Sequence, residues 1–286
     1  MTQTAFIFGY GFIGQAFAEQ ARAKGFAIAA TARTPEKRQA LSDQGIVAVD
    51  PEDAEALARA ASADAILITP APTDDGCPAF AALEPHMQPG RRPPDRWIGY
   101  LSTTGVYGHR GGGWVFEDSA RLPSSAEGQR RAAAEDQWLT KGAHLFRLPG
   151  LYGPGRNVIE RLQAGDARRV HLPGHVFSRL HHDDCATALM ASMARPTPGR
   201  AYNLCDDAPA SAEDVLMFAA DLAGLPLPPA TAFDDLPPQA RRFYADNKRV
   251  ANARAKAELG WRPQYPTYRE GLKAIWAAIY RTMQTA

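Results

Sequence analysis

A chain of 286 residues is long enough for one large α/β unit or for two modest domains with a buried core. Its 32 Lys and Arg residues nearly balance its 31 Asp and Glu residues, which argues against a nucleic-acid partner and a membrane-surface partner. The three cysteines are odd in number and far apart, so they indicate neither a disulfide framework nor a zinc site. Without a basic leader or an apolar run of about 18 residues, we expect a cytoplasmic protein with no membrane segment.

Short apolar runs alternate with helical stretches in the first half of the chain, a pattern typical of βαβ units. The predicted strands are Ala5–Phe8, Phe26–Thr31, Ile46–Val49, Ala65–Thr69, Trp97–Ser102 and His144–Leu148. The predicted helices between them are Gly14–Ala23 and Ala54–Ala61. Two stretches, Pro70–Asp95 and Gly108–Ser125, interrupt this rhythm and are predicted to be ligand-binding loops. The pattern therefore predicts an α/β fold with a Rossmann-type, doubly wound parallel sheet.

A glycine-rich loop follows the first predicted strand and opens the first predicted helix, with the spacing G-x-G-x-x-G. Gly9 permits a tight turn, Gly11 lets the backbone approach a phosphate, and Gly14 allows the helix to pack closely on the strand. The free N–H groups of the helix N-terminus suit a pyrophosphate. The loop therefore predicts a dinucleotide site that comprises Gly9, Tyr10, Gly11, Phe12, Ile13 and Gly14.

The end of the second predicted strand bears on the choice of cofactor. An NAD site commonly places a carboxylate there, where it accepts hydrogen bonds from the ribose 2′-hydroxyl. This chain instead has Arg33, 19 residues after Gly14, with Lys37 and Arg38 close behind. A guanidinium suits the 2′-phosphate of NADP. We therefore favour NADP, with NAD as the alternative.

Five ordered motifs extend over nearly the whole chain. They are GYLSTTGVYG (99–108), FRLPGLYGPG (146–155), the glycine loop, GRAYNLCDD (199–207) and NKRVANARAKAELGWRPQYPTYREGL (247–272). Together they resemble the extended short-chain dehydrogenase/reductase superfamily, the NAD-dependent epimerase/dehydratase group, and more narrowly its atypical branch.

The resemblance implies roles for further residues. Asp50 would contact the adenine, and Thr103, four residues before the Tyr of V-Y-G, would be the catalytic hydroxyl. The ribose, pyrophosphate and nicotinamide would be lined by Thr69, Pro70, Ala71, Pro149 and Gly150. The resemblance also leaves open a homodimer through helices in the segments 70–95 and 124–141, although the first is rich in proline.

The chain departs from the family at its Tyr-x-x-x-Lys pair. The frame set by Glu135 places Glu127 at the Tyr position and Arg131 at the Lys position. A phenol beside a cation exchanges protons with an alcohol, whereas an ionised glutamate is a poor acid. We expect Glu127 and Arg131 to form an exposed ion pair, with Arg131 still able to donate to the nicotinamide ribose. A literal match at Tyr244 and Lys248 is expected from chance and lies in the second half.

A run of potential metal ligands, His181 to Asp184, has a simpler interpretation. Consecutive residues on a strand point to opposite faces and do not converge on one ion. We expect Asp183 or Asp184 to cap a helix over Cys185–Ala194, and we predict no metal site. Tyr107 and Tyr152 are expected either to face the substrate or to pack in the core.

Two functions follow from these motifs. The first is an NADP-dependent oxidoreductase or epimerase/dehydratase-like enzyme acting on a small hydroxylated or nucleotide-linked substrate. The second is a dinucleotide-binding sensor or structural protein that has lost its catalytic pair. In either case residues 1–155 would form the dinucleotide-binding domain, with segments near 176–206 returning to it, and residues 156–286 a smaller substrate domain.

Overall fold

The computed structural model describes residues 2–87 and 96–285. Their strands are β1 Thr4–Phe8, β2 Ala27–Thr31, β3 Val47–Val49, β4 Ala65–Ile68, β5 Trp97–Thr103, β6 Trp114–Val115, β7 His144–Leu148, β8 Gly150–Tyr152, β9 Arg169–His171, β10 Arg179–His181, β11 Ala201–Asn203, β12 Ala230–Ala232 and β13 Arg249–Val250. Their α-helices are α1 Phe12–Ala23, α2 Pro35–Asp43, α3 Ala54–Ala60, α4 Pro78–Leu83, α5 Ala126–Leu139, α6 Val158–Gln163, α7 His182–Ala194, α8 Ala212–Ala223, α9 Pro238–Arg242, α10 Ala253–Leu259 and α11 Tyr268–Thr285.

Seven strands form one parallel sheet in the order β3, β2, β1, β4, β5, β7 and β11. In the register of the central strand, Phe6 lies opposite Ala29 on one side and Ile66 on the other. Each of the six predicted strands is present, with bounds that differ by at most one residue. The prediction of a Rossmann-type parallel sheet is therefore confirmed.

Helices cover both faces of this sheet, because successive residues of each strand point to opposite sides. Ala5 and Ile7 of β1 pack in a core that also includes residues of α1, α2 and α7. Phe6 and Phe8 pack in a second core, with residues of α3, α4 and α5. Burial of both faces explains why the central strands read as continuous apolar runs.

In the first half of the chain, two of the described helices were not predicted from the sequence. Helix α2 begins at Pro35 after Thr34, whose side chain accepts a hydrogen bond from the Lys37 N–H, a recognisable start signal. Helix α4 lies within the proline-rich stretch that was expected to be a loop. Residues 88–95 of that stretch, with the adjacent pair Arg91 and Arg92, lie outside the described residues.

The second half of the chain contributes both to the sheet and to a separate core. Strand β11 pairs with β7, and α7 packs beside α1. A third core, centred on Tyr152, Ile159 and Leu272, joins α6, α8 and α11. The proposed domain division remains a prediction. None of the described helices combines the length and apolar character that crossing a membrane requires.

A buried network of polar side chains ties the edge of the sheet together. Glu135 of α5, which is fully buried, accepts hydrogen bonds from Nε and Nη2 of Arg147 at 3.0 and 2.8 Å. The same carboxylate accepts a bond from Ser102 Oγ at 2.6 Å. Arg147 Nη1 also donates to the Tyr107 hydroxyl, which donates to Asn203 Oδ1. Strands β5, β7 and β11 are thus connected to α5 and to one another.

Replacing Glu135 with alanine is predicted to destabilise the fold by about 3–5 kcal/mol, because Arg147 would remain buried without its carboxylate. The measurement is denaturant unfolding followed by circular dichroism. The control is Glu55→Ala, which removes the exposed partner of Arg59 and should change the free energy of unfolding by less than about 1 kcal/mol. Equal effects of the two substitutions would contradict the assignment of a structural role to Glu135.

Candidate functional site

The glycine loop is held at the carboxyl edge of the sheet by two threonine hydroxyls. Gly9 has a φ of 94°, which side chains rarely adopt. Its N–H donates to Thr31 Oγ1 at 2.8 Å, and its carbonyl accepts a bond from Thr69 Oγ1 at 2.7 Å. The loop is therefore fixed on both sides before any ligand binds.

The remaining glycines of the loop have different surroundings. A Cβ atom on Gly14 would lie 2.8 Å from the Gly9 carbonyl oxygen, so this position is required for packing of α1. A Cβ atom on Gly11 would meet no heavy atom within 4 Å. Gly11 is exposed and precedes α1, and its own backbone is extended. The space above Gly11, at the positive end of the helix dipole, fits a pyrophosphate.

The other predicted loop residues divide between the core and the surface. Ile13 is buried, whereas Tyr10 and Phe12 are half-buried and pack against the core that covers α1. The ring of Phe12 meets the His182 ring edge to face, with centroids 4.9 Å apart. Arg156 lies over the same ring at 5.6 Å. Phe12 therefore joins the glycine loop to residues from the second half of the chain.

At the end of β2, Arg33 is exposed and its side chain has no recorded partner among the described residues. Arg38 is engaged differently, because its Nη1 donates to the carbonyl oxygens of Ala32 and Arg33 and pairs with Asp50 at 2.9 Å. Asp50, the predicted adenine contact, is thus partly neutralised by Arg38. Among the described residues, no carboxylate stands at the tip of β2.

Arg131 does not form the ion pair expected with Glu127. Its Nη1 donates to the Leu101 carbonyl at 2.6 Å, to the Pro70 carbonyl at 3.2 Å and to the Tyr100 hydroxyl at 3.3 Å. Tyr100 and Leu101 lie within β5 and Pro70 follows β4, so Arg131 joins two neighbouring strands. Glu127 is exposed in the first turn of α5. The prediction was wrong because carbonyl oxygens within reach compete for the guanidinium.

Thr103 lies at the carboxyl end of β5, as its spacing predicted. Its Oγ1 accepts a hydrogen bond from the Gly105 N–H at 3.1 Å, in the turn that follows the strand. The hydroxyl proton stays available for a substrate oxygen. The start of α5 is close to this turn, because a Cβ atom on Gly128 would lie 2.9 Å from the Gly105 carbonyl oxygen.

A cavity of about 930 Å³ begins at Gly150, the first residue of β8 and two residues beyond the end of β7, and continues between α6, α8 and α9. Pro149 is half-buried and Gly150 exposed at its edge. Tyr152 lines this cavity, whereas Tyr107 is fully buried in the polar network. The predicted nicotinamide position and the cavity therefore share one edge. The volume suits a small-molecule ligand.

The structure arranges His181 to Asp184 differently from the sequence-based prediction. Strand β10 ends at His181, helix α7 begins at His182, and His181 Nδ1 accepts the Asp183 N–H at 3.3 Å. Burial and the neighbouring His182 lower the pKa of His181, which favours this neutral acceptor form. Asp184 instead accepts the N–H groups of Gln264 and Tyr265.

The cap is therefore His181, and neither Asp183 nor Asp184. The change from strand to helix also brings potential ligand atoms of His181, His182 and Asp183 within 4.8 Å of one another. The expectation that these consecutive side chains diverge was wrong for this reason.

Several site residues escaped the sequence analysis. Thr31 was assigned only to a strand, although a hydroxyl opposite the loop glycine is the signal that identifies it. Arg156 and Arg179 line the cavity, but their positions depend on how the second half of the chain folds back. No spacing in the sequence reveals that arrangement.

The Gly11→Val substitution is predicted to abolish binding of NADPH and NADH without unfolding the chain, because its side chain would fill the space above the loop. Binding is followed by cofactor fluorescence and folding by thermal denaturation. Gly14→Val provides the contrast, since it should lower the melting temperature through its clash with Gly9. Retained cofactor affinity in Gly11→Val would show that the loop is only a structural turn.

Comparisons with known proteins bear on this site. Residues 3–74, which contain the glycine loop, match the family model described as NADP oxidoreductase, coenzyme F420-dependent. This match supports binding of a nicotinamide dinucleotide by an oxidoreductase domain. A curated Streptomyces protein, named 3-diazoavenalumate denitrifying reductase, is 33% identical over 159 residues, which cover 50% of this chain and 51% of that protein. The chain thus spans about half the length of this curated relative.

Solved structures cover almost the whole chain. A conserved protein of unknown function from Silicibacter pomeroyi is 42% identical, with a TM-score of 0.88 over 97% of this chain and 99% of that one. The dTDP-glucose 4,6-dehydratase of Bacillus anthracis, solved with NAD, is 17% identical, with a TM-score of 0.78 over 99% of this chain and 98% of that one. The chain therefore belongs to the same family as the Silicibacter pomeroyi protein, and its fold is that of the NAD-dependent epimerases and dehydratases.

Proposed function

We propose that this protein is an NADP-dependent oxidoreductase that acts on a small hydroxylated, carbonyl or nucleotide-linked substrate in the cavity at Gly150. The observation that carries the proposal is the pairing of two features at one sheet edge. These are a glycine loop already fixed by Thr31 and Thr69 and a cavity that begins just beyond the end of β7. Ligands of open α/β sheets bind at this edge.

The chain's own residues fit a dinucleotide. The space above Gly11 admits a phosphate group, and the N-terminus of α1 favours its charge. A bound nicotinamide would exchange a hydride with the substrate. Thr69, Pro70 and Ala71 follow β4 beside the loop and would line the ribose and pyrophosphate, while Pro149 and Gly150 would bound the nicotinamide.

The preference for NADP depends on Arg33. Its guanidinium is exposed and unoccupied by any described carboxylate, so it is available to a 2′-phosphate. Asp50, the predicted adenine contact, is already paired with Arg38. NAD would lose the favourable contact with Arg33 and gain no acceptor for its 2′-hydroxyl.

The chemistry of the site must differ from that of a tyrosine-dependent enzyme. Thr103 can orient a substrate oxygen, because its hydroxyl accepts from Gly105 and keeps its own proton to donate. Arg131 is bonded to Pro70 and Leu101 and therefore holds the strand ends beside the nicotinamide position. Positioning supplies most of the rate enhancement in such a site.

A non-catalytic dinucleotide-binding protein is the second candidate. The exposed Glu127 at the tyrosine position and the engagement of Arg131 with backbone carbonyls both favour it. The reductase name of the Streptomyces relative favours an enzyme. A homodimer through α5 also remains a proposal.

NADPH is predicted to bind more tightly than NADH, and Arg33→Glu is predicted to erase the difference. The carboxylate would repel the 2′-phosphate and accept from the 2′-hydroxyl. Fluorescence titration of both cofactors measures this ratio. Arg59→Glu is the matched control, since it makes the same charge change on the exposed face of α3. Equal affinities in the unaltered protein would exclude the role given to Arg33.

Thr103→Ala is predicted to lower turnover by more than about tenfold, equivalent to about 1.4 kcal/mol of barrier. Glu127→Gln should change turnover little, because Glu127 is exposed and, among the described residues, forms no hydrogen bond or ion pair with Thr103 or Arg131. The assay follows NADPH oxidation with a panel of hydroxyl and carbonyl substrates.

The reverse pattern, with Glu127→Gln inactive and Thr103→Ala active, would make Glu127 the working acid or base. Tight NADPH binding with no hydride transfer to any substrate would favour the non-catalytic protein.

A further inference from the structure

The cavity beyond Gly150 has a wall that carries more positive than negative charge. Its basic and acidic lining residues are four arginines, Arg156, Arg161, Arg168 and Arg179, and two acids, Glu160 and Asp166. Glu160 is partly engaged, because its carboxylate accepts the Gly155 N–H at 2.9 Å. A net positive wall favours an anionic ligand.

Arg179 is the most enclosed of these cations. Its Nη1 donates to the carbonyls of Phe177 and Ala210, each at 2.9 Å, and its Nη2 donates to Ser211 at 3.4 Å. These bonds fix the guanidinium and leave its Nε–H and one Nη2–H without a recorded acceptor among the described residues. Two such parallel donors match the two oxygens of a carboxylate.

Asp206 is the acid with the largest electrostatic effect on Arg179, but it does not neutralise the guanidinium fully. Asp206 is 2% exposed, and one of its carboxylate oxygens is buried without a partner. Burial raises the pKa of Asp206 to about 7, so its negative charge is only partial at neutral pH. Burial lowers the pKa of Arg179, and Asp206 opposes that shift. A buried cation without a full counter-charge is costly unless a ligand supplies one.

Aromatic rings form another part of the same wall. Phe177 and Phe243 are stacked with centroids 5.0 Å apart and planes at 29°. Tyr244 meets both rings edge to face, at 5.5 and 5.6 Å. Phe243 remains 68% exposed although it lines the cavity, which leaves much of its surface without a protein contact. Arg179 lies 5.8 Å from the centre of the Phe177 ring, so the cation and the rings are adjacent.

We propose that the substrate is an aromatic carboxylate, whose carboxylate pairs with Arg179 and whose ring packs on Phe177 and Phe243. This inference rests on the proposed function, since it specifies the substrate class of the same site. The single enclosed guanidinium with two parallel donors favours one carboxylate over a diphosphate, and the stacked rings favour a planar body over a sugar.

The test uses the full chain and 2-naphthoate, a fluorescent aromatic carboxylate, with neutral 2-naphthamide for comparison. We expect naphthoate to bind at least about tenfold more tightly than naphthamide, and cyclohexanecarboxylate to bind more weakly than naphthoate. Arg179→Gln should remove the preference for naphthoate over naphthamide, whereas Arg59→Gln, which changes an exposed residue of α3 that does not line the cavity, should preserve it.

A second variant keeps the test valid if Arg179→Gln does not fold. Phe243→Ala removes an exposed ring and should weaken naphthoate and naphthamide alike, whereas Phe243→Tyr should retain both affinities. Tighter binding of UDP than of naphthoate, or an unchanged naphthoate preference in a folded Arg179→Gln variant, would overturn the proposal.

NADPH fluorescence in the same samples distinguishes a failure of the substrate-class proposal from a failure of the proposed oxidoreductase function. Cofactor binding without naphthoate binding would refute only the substrate class. Naphthoate binding without any cofactor binding would refute the proposed oxidoreductase and leave the cavity assignment standing.

Discussion

The pairing of Glu135 with Arg147 is the interaction on which the carboxyl edge of the sheet depends. Two side chains that are both buried share two hydrogen bonds, and the same carboxylate accepts from Ser102. Ser102 immediately precedes Thr103, and Glu135 lies one helical turn beyond Arg131. The pair therefore fixes α5 against β5 and β7, and it fixes the candidate catalytic hydroxyl relative to the end of β7. Its contribution to function is positional, because none of its members reaches the cavity.

The glycine loop and the cavity are held by separate sets of contacts, and both sets involve neighbours of Phe12. Thr31 and Thr69 fix Gly9 from the first half of the chain, whereas Arg156 and His182, from the second half, pack against Phe12. Phe12 is the first residue of α1 and directly follows Gly11. A displacement of the second half of the chain would therefore move the position at which we expect a phosphate group. The contacts of Phe12 with Arg156 and His182 thus couple the geometry of the cavity to that of the loop, with no ion pair between the two among the described residues.

The sequence predicted those parts of the molecule that depend on local pattern. Apolar runs identified the central strands, and the spacing of Gly9, Gly11 and Gly14 identified the loop. Helix α4 was missed because proline and small residues give little periodicity, and tertiary packing of Leu83 and Ala79 stabilises it instead. The partner of Arg131 and the cap of α7 also depended on atoms brought close by folding. The cavity could not be predicted, because its walls come from segments distant in sequence.

The start of α5 shows what the loss of the tyrosine changes and what it leaves in place. Gly128 still packs closely on the Gly105 backbone, so residue 127, in the first turn of α5, lies beside the turn that follows Thr103. The helix that would carry the family's tyrosine is therefore present, while residue 127 itself is an exposed glutamate. A threonine hydroxyl is too weak an acid to deliver a proton alone at neutral pH. In the proposed enzyme, a substrate oxygen that gains charge beside Thr103 would therefore have to be protonated through water or be stabilised as an anion.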